Sequence, residues 1–552
     1  MNGEKPITAV MINTHLGYRA YAAKEIKVLF DPSRTDLPDG TLLADGSLYA
    51  GVGSLTVIDK SGRLLDLSGL ERTLQPQGSY YISWMRKDLQ HISFDLDNMD
   101  GYLSKIIAKE PFLGRDVQVY VGFEALSFTS WTCLFRGTII SITPGDVFTV
   151  EADEKLNGLT DTYYAPRAGI YPNPANSGDV LPIVYGDLTD SVSGNWECPC
   201  IDTLNFVYCF AAHSVLSVAA GNMVTVYADD VLMSGGYTFN ESDDYLGKGN
   251  IATITFGMDQ TNKKITARGK GKPSAGVLME NIIDQVYDFL ASVNSFDSSL
   301  FETTAKTRAW QNFASQGYKA AGVIAADIVY WELLQQMMAS FIGSIYINGE
   351  GYLCLDIDTG AVSDGTFAGV IMRSDADFAP EKMLLANIVN QCPADYAADY
   401  VNGGFKAHTD DIGHANLLSQ STFGVQKPSA AYSFNWCRNL TSVNLMQDII
   451  VAKFGQPLYE VTATQYSMQC MQADIADILL CSLVRLYGSD GNPLYNNLWK
   501  VIGVQPDPIN NKMVFRLLYT GAALTRAHLA DGTYLADGTV MAGGEKDLSA
   551  IY

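Results

Sequence analysis

The chain has 552 residues, several times the roughly 100–200 of a typical domain, so three to five domains are expected and a single compact core is not. With 47% hydrophobic and 18% charged residues the composition excludes a largely disordered chain. Acids outnumber bases 60 to 37, a formal charge of −23, which is the wrong sign for a protein that grips phosphate backbones.

In chain order, residues 1–72 form an N-terminal segment with an Asp-Gly repeat, and their first thirty residues lack the charged and apolar regions of a secretory signal, so cytoplasmic synthesis is expected. Residues 73–165 read as a first β-barrel. Their β-branched and aromatic runs, Tyr80–Trp84, Val117–Phe123 and Leu134–Ile142, are separated by Gly, Asp and Pro. The segment Leu181–Asp187 (LPIVYGD) leaves a loop rich in Pro, Asn and Gly and marks a domain boundary, and a second β-rich domain is expected over 166–272. Met223–Tyr227 and Ile251–Phe256 are its clearest strands.

Residues 273–400 change period. Pro273 sits where a first helical turn tolerates it, and Met279, Ile282, Ile283, Val286, Phe289 and Leu290 recur at helical spacing. A second helix is expected over Asp327–Phe341, then a hairpin of Ser344–Ile347 and Tyr352–Ile357 turning at Asn348-Gly349. Ala321–Gly343 is the most apolar stretch, but Asp327, Glu332, Gln335 and Gln336 interrupt it and no membrane span is expected. Residues 401–520 read as a closing β-barrel with one helix, Thr441–Phe454, stopped by Gly455 and Pro457. Strands Tyr459–Met468, Ile478–Tyr487 and Leu498–Val504 follow, with a turn cluster at Ser489–Pro493, and 521–552 is a repeat-bearing tail. The fold class expected is multidomain and mainly β, made of small barrels and sandwiches, with an α+β middle domain.

Asp36–Gly51 and His528–Gly543 agree at ten of sixteen positions. Each copy holds two Leu-x-Asp-Gly hexads, in which Asp-Gly supplies a tight turn and Leu37, Leu43, Leu48, Leu529, Leu535 and Val540 supply small apolar edges. They are candidate assembly contacts, docking on one another or on a neighbouring subunit; the other reading is independent surface hairpins. A second candidate contact is the basic run Lys263, Lys264, Arg268, Lys270 and Lys272, which could meet an acidic neighbour or simply be a solvated strand end.

Motifs of chemistry are weak. Arg268-Gly-Lys-Gly-Lys272 precedes a helical segment, but no Gly-Lys-Ser/Thr follows, so it is not a phosphate loop. Cys198, Cys200, Cys209 and His213 lie within sixteen residues, yet one residue between the first two cysteines is tighter than zinc knuckles use. His408, Asp410, Asp411 and His414 could hold a divalent ion or form a solvated loop. The window Leu96–Ile107 resembles a calcium loop at Asn98, Asp100 and Gly101, but Leu96 and Ile107 replace both end ligands, leaving Asp97, Asn98 and Asp100 as turn formers. Nine scattered cysteines with no export signal are read as reduced thiols. No nucleophile elbow, metalloprotease helix or catalytic-cysteine signature occurs, so no catalytic residues, metal or cofactor are assigned.

Four stretches, in order, resemble the hub and tail-tip proteins of tailed bacteriophages. Ile92–Gly101 (ISFDLDNMDG) is similar to a strand and turn recurrent there. Gly114–Ile142 is similar to the family's paired strands ending at Phe-Arg-Gly, and Leu181–Asp187 to its Pro-Ile-x-Tyr-Gly-Asp segment. Ala452–Leu518 is similar to its closing barrel, departing where the family has Leu-Gly-Asp and this chain has Ile475-Ala476-Asp477. The resemblance implies a non-enzymatic virion protein, assembled in the host cytoplasm as a homotrimer around an axial channel for DNA. Its implied partners are tail tube or distal tail protein above and spike, tape-measure or fibre proteins below. An acidic wall would not hold the polyanion passing through. Rival expectations are a six-fold distal tail ring or fibre-docking protein, and a tail-associated carbohydrate-degrading enzyme with paired carboxylates.

Overall fold

The structure is a computed structural model that describes residues 6–14, 17–22, 62–76, 84–86, 90–123, 131–189, 194–293, 296–359, 368–371, 376–380, 388–457, 459–468, 470–487 and 493–523, with short strand pieces at 28–29, 48–49 and 57–58. It is mostly β, 43% strand to 19% helix, divided among many small sheets.

The first sheet has eight strands in the order Val57–Ile58, Gly17–Ala22, Ile7–Thr14, Asp116–Gly122, Thr132–Thr143, Val147–Glu154, His91–Asp97 and Leu64–Ser68. Period-two alternation dictates its inner face. Ile92, Phe94 and Leu96 oppose Ala152, Val150 and Phe148 in register, and Val117 and Val119 oppose Ile12 and Val10; all are buried. A one-residue slip would turn this whole set to water, at about 1.5–3 kcal/mol per side chain. Because Ile7–Thr14 pairs with Asp116–Gly122, this sheet takes strands from both sides of the boundary expected at residue 72. Of the expected strand Tyr80–Trp84, only Trp84 falls among the described residues, at the start of the strand Trp84–Arg86.

Helix α1, Tyr102–Ile107, follows the turn Asn98–Gly101. Buried Asn98 accepts the Leu103 amide at 2.8 Å, and Asp97 and Asp100 accept the amides of Met99 and Tyr102 at 3.0 Å each. These side chains therefore make the turn itself.

Two four-stranded sheets form a sandwich between residues 196 and 268. Trp196 fills its centre, packed edge-on against Phe210 at 4.8 Å, with its indole N–H donating to the Phe210 carbonyl. The hairpin Thr225–Ala228 to Val231–Leu232 turns on Asp229 and Asp230, both at positive φ, as a two-residue primed turn requires.

Three helices follow: α2 (Ile282–Asp288), α3 (Thr303–Ser315) and α4 (Tyr330–Ala339). The helix expected from Pro273 starts nine residues later. Pro273–Ser274 instead pairs with Val277–Leu278 across Ala275 and Gly276, both at positive φ, and Asn281 then caps α2 by accepting the Ile283 amide. Met279 precedes the helix, and Phe289 and Leu290 lie in a π turn that extends it. The hairpin Gly343–Ile347 and Leu353–Ile357 forms as expected, but its connection is not a two-residue Asn-Gly turn. Asn348 accepts the amides of Glu350 and Tyr352, and Gly351 takes the left-handed conformation.

A three-stranded sheet (Phe405–Thr409, Ala394–Ala398, Tyr432–Phe434) crosses the boundary expected at residue 400, because its first two strands form one hairpin. Helices α5 (Leu417–Phe423) and α6 (Leu440–Phe454) accompany it. The last sheet orders Gly369–Ile371, Ile478–Tyr487, Pro493–Asp507, Lys512–Ala523, Glu460–Gln465 and Ala376–Pro380. Onto Pro493–Asp507 is added Arg72–Pro76, a strand from the other end of the chain, which pairs in turn with Trp84–Arg86. A single hydrophobic cluster runs through both eight-stranded sheets, from Val10 and Phe94 to Trp499 and Phe515, with Ala305, Tyr346 and Cys354 of the middle segment inside it. Among the described residues no helix is long and apolar enough to cross a membrane.

Candidate functional site

Two junctions between modules are held by polar side chains. The first is built on Leu181–Asp187. Ile183–Tyr185 is a buried strand pairing antiparallel with Gly322–Ile324, so the backbone passes directly from the sandwich into the helical layer. The Tyr185 hydroxyl donates to Asp288 at 2.7 Å, at the end of α2, and the Lys272 ammonium lies 2.8 Å from the same carboxylate. The His213 ring stacks on Tyr185. Its Nε2 accepts the Val184 amide at 2.9 Å, so Nδ1 carries the proton and donates to the Ser214 carbonyl at 2.8 Å. Burial pushes the His213 pKa down to about 4, which keeps the ring neutral at physiological pH.

The glycine-rich basic run lies across from this strand. Gly271 and Lys272 donate their amides to the carbonyls of Gly186 and Val184, both at 2.9 Å. A Cβ on Gly271 would fall 2.3 Å from the Val184 carbonyl oxygen, and one on Gly186, at φ 71°, would fall 2.1 Å from that of Ala320. The glycines thus serve a close approach of backbones, and these two amides are spent inside the chain. Asp187 accepts both the amide and the hydroxyl of Thr189 and pairs with Lys270 at 3.7 Å.

The second junction is the turn Asp474–Asp477. Arg72, whose side chain is 2% exposed, donates from Nε to Asp474 Oδ1 at 2.9 Å and from Nη1 to the Leu134 carbonyl at 2.7 Å. The other Asp474 oxygen accepts the Gly349 amide at 2.7 Å, while the Cys133 thiol donates to the Gly349 carbonyl. First sheet, middle hairpin and closing sheet are therefore tied together through the Arg72–Asp474 pair. Ala476, standing where the resembled family has glycine, keeps the left-handed conformation at φ 69°, and its amide donates to the Val501 carbonyl at 2.8 Å.

Asp477 accepts the Asp474 amide at 2.8 Å and has no ion-pair partner among the described residues. Burial, with the nearby charges of Asp474 and Asp356, raises its pKa to about 6, against the opposing pull of the Asp474 amide hydrogen bond and of Arg308. Beside it Lys500 pairs with Asp356 at 3.1 Å, and Lys453 pairs with Asp358.

The sequence-level candidates are distributed as follows. Lys270 and Lys272 are engaged with Asp187 and Asp288 of this chain, Arg268 lies over the Tyr227 ring at 5.9 Å, and Lys264 is 3.6 Å from Glu197. Lys263 and Lys264 remain exposed, beside the Asp229-Asp230 turn that accepts the Lys264 amide. Leu37, Leu43, Leu529, Leu535 and Val540 lie outside the described residues; Leu48 is in a two-residue strand paired with Val28–Leu29. His408 and His414 point to different carboxylates, Asp395 and Asp448, and Asp410 pairs with Lys427. Among the described residues no three His, Cys, Asp or Glu side chains are grouped to hold a metal ion, and the nine cysteines are free thiols, eight of them buried.

Sequence reasoning missed Arg72, Asp288 and His213 as junction residues. Arg72 meets a partner 402 positions away, and no local pattern signals such a pair. The LPIVYGD segment and the Asp474–Asp477 turn were each visible as motifs, but not what they join. The geometry defines a mostly-β protein whose modules are joined by polar contacts. No protein-family model matches it, and no curated protein matches it by sequence.

Proposed function

We propose that this chain is a structural hub or tail-tip protein of a bacteriophage tail. Three copies close into a ring that joins the tail tube to the distal spike or fibres, around the channel through which DNA leaves. One observation carries the reading: the four stretches that bear the resemblance are the ones doing architectural work. Ile92–Gly101 and Gly114–Ile142 build the first eight-stranded sheet, Leu181–Asp187 is the joint to the sandwich, and Ala452–Leu518 supplies most of the closing sheet. Side-chain hydrogen bonds of Asp97, Asn98, Asp100, Asp187 and Asp474 hold turns and joints within the chain, which suits a part that transmits force. The finer architecture belongs to the same proposal: barrels at either end, a β-rich second domain and an α+β middle. Ring closure would bury apolar surface between identical neighbours, and the net charge of −23 keeps the passing polyanion from adhering.

The test is localisation and symmetry. Cryo-electron microscopy of the tail of the phage carrying this gene is expected to place the chain at the distal end with three-fold symmetry. Six-fold density there would make it a distal tail ring or fibre-docking protein. Absence from the particle, with purified protein that cleaves a carbohydrate polymer, would end the structural reading.

A further inference from the structure

We propose that the Asp474–Asp477 turn is an acid-responsive joint, in which protonation of Asp477 tightens the contact between the first sheet, the middle hairpin and the closing sheet. The inference is independent of the phage reading. It rests on geometry at a place where three modules converge. Asp474 gives one oxygen to Arg72, which also holds the Leu134 carbonyl of the first sheet, and the other to the Gly349 amide of the middle hairpin, so the turn is tied to both. Asp477 is on the same turn, partly buried, and among the described residues no cation pairs with it.

The groups facing Asp477 come from every element around it. Its own turn contributes Asp474, the strand Leu353–Ile357 contributes Asp356, and α3 contributes Arg308. Tyr346 and Cys354 of the middle hairpin also feel its charge, and burial raises both. Lys500, from the neighbouring strand, is committed to Asp356. An ionised Asp477 therefore sets a third acid beside Asp474 and Asp356; the Asp474 amide it accepts and the exposed Arg308 oppose this, and burial outweighs both. Protonation removes that repulsion and leaves the carbonyl oxygen to accept the Asp474 amide.

The sign follows from linkage. A carboxyl raised to about 6 in the folded state, above its ordinary 3.8, binds its proton more tightly when folded. Its contribution to stability is fully present below the ordinary value, declines as pH rises through 4 to 6, and is absent above about 6. Hydrogen exchange on the full chain reads this locally, at the Gly349 amide held by Asp474 and the Ala476 amide held by Val501. Protection at both should fall about tenfold or more between about pH 5 and about pH 7.5, after correction for intrinsic exchange.

In Asp477→Asn the same protection should be high and change less than about twofold over that interval. In Arg308→Leu, a change on an exposed face of α3 that leaves the fold intact, the loss should move to higher pH. Wild-type protection that does not vary with pH, or variants that follow the wild type, would overturn the proposal. Were Asp477→Asn not to fold, the Arg308→Leu displacement alone would decide it.

Discussion

At the scale of single residues, the chain repeatedly places a side chain where backbone geometry or charge leaves little choice. Gly186 and Gly271 hold two backbones closer than any Cβ allows. Ala476 is one of nine non-glycine residues at positive φ among the described residues, and the left-handed region costs an L-residue about 1–2 kcal/mol. Glycine would relieve that strain and return roughly 0.5–1 kcal/mol through the greater freedom of the unfolded chain. Ala476→Gly is therefore expected to stabilise the protein by up to about 1 kcal/mol, read as a rise in the urea midpoint with unchanged slope. A fall in the midpoint would mean that the Cβ contributes packing that outweighs the strain.

At the scale of elements, a side-chain cap marks where four of the six described α-helices begin. Asn281, Glu302, Asn416 and Asn439 each accept an amide of the turn they open. The clearest case is α6, where Asn439 accepts the Thr441 amide at 2.8 Å and Val443, Met446 and Ile450 are buried. Asn439→Ala should cost about 1 kcal/mol, with faster amide exchange confined to the first turn of α6. Exchange that rises along the whole helix would assign Asn439 a tertiary role instead. The early helix expected from Pro273 shows the same rule from the other side: Ala275-Gly276 at positive φ makes a hairpin before any cap is reached.

At the scale of the whole molecule, the decisive feature is that the two ends of the described chain share one core. Arg72 is the polar counterpart of that core, since its guanidinium ties the Leu134 carbonyl of the first sheet to Asp474 of the closing sheet. Arg72→Leu leaves Asp474 without its cation in a mostly buried place and should destabilise by about 3–5 kcal/mol. The double variant Arg72→Leu with Asp474→Asn should recover a large part of that loss, because the uncompensated charge is gone. Equal destabilisation in the single and double variants would show that the guanidinium acts through packing, not charge.

Much of this was legible in the sequence, and for a definite reason. Alternation in Ile92–Asp97 and Val117–Val121 fixes strands and their inner faces, because side chains in a strand alternate with period two, while the run Leu134–Ile142 marks a strand whose bulge breaks the alternation. Helical spacing with Gly455 beyond its end located α6, and Asp97, Asn98 and Asp100 announced their turn. What the sequence could not determine was which modules touch. A strand's pattern names the face it buries but not the partner, so Arg72–Pro76 gave no sign of crossing to Pro493–Asp507. The junction carboxylates are the same case. Asp474 and Asp477 lie three residues apart, yet only the fold gives one an arginine from the opposite end of the chain and leaves the other among acids, since pairing depends on distance in space and burial rather than on position along the backbone.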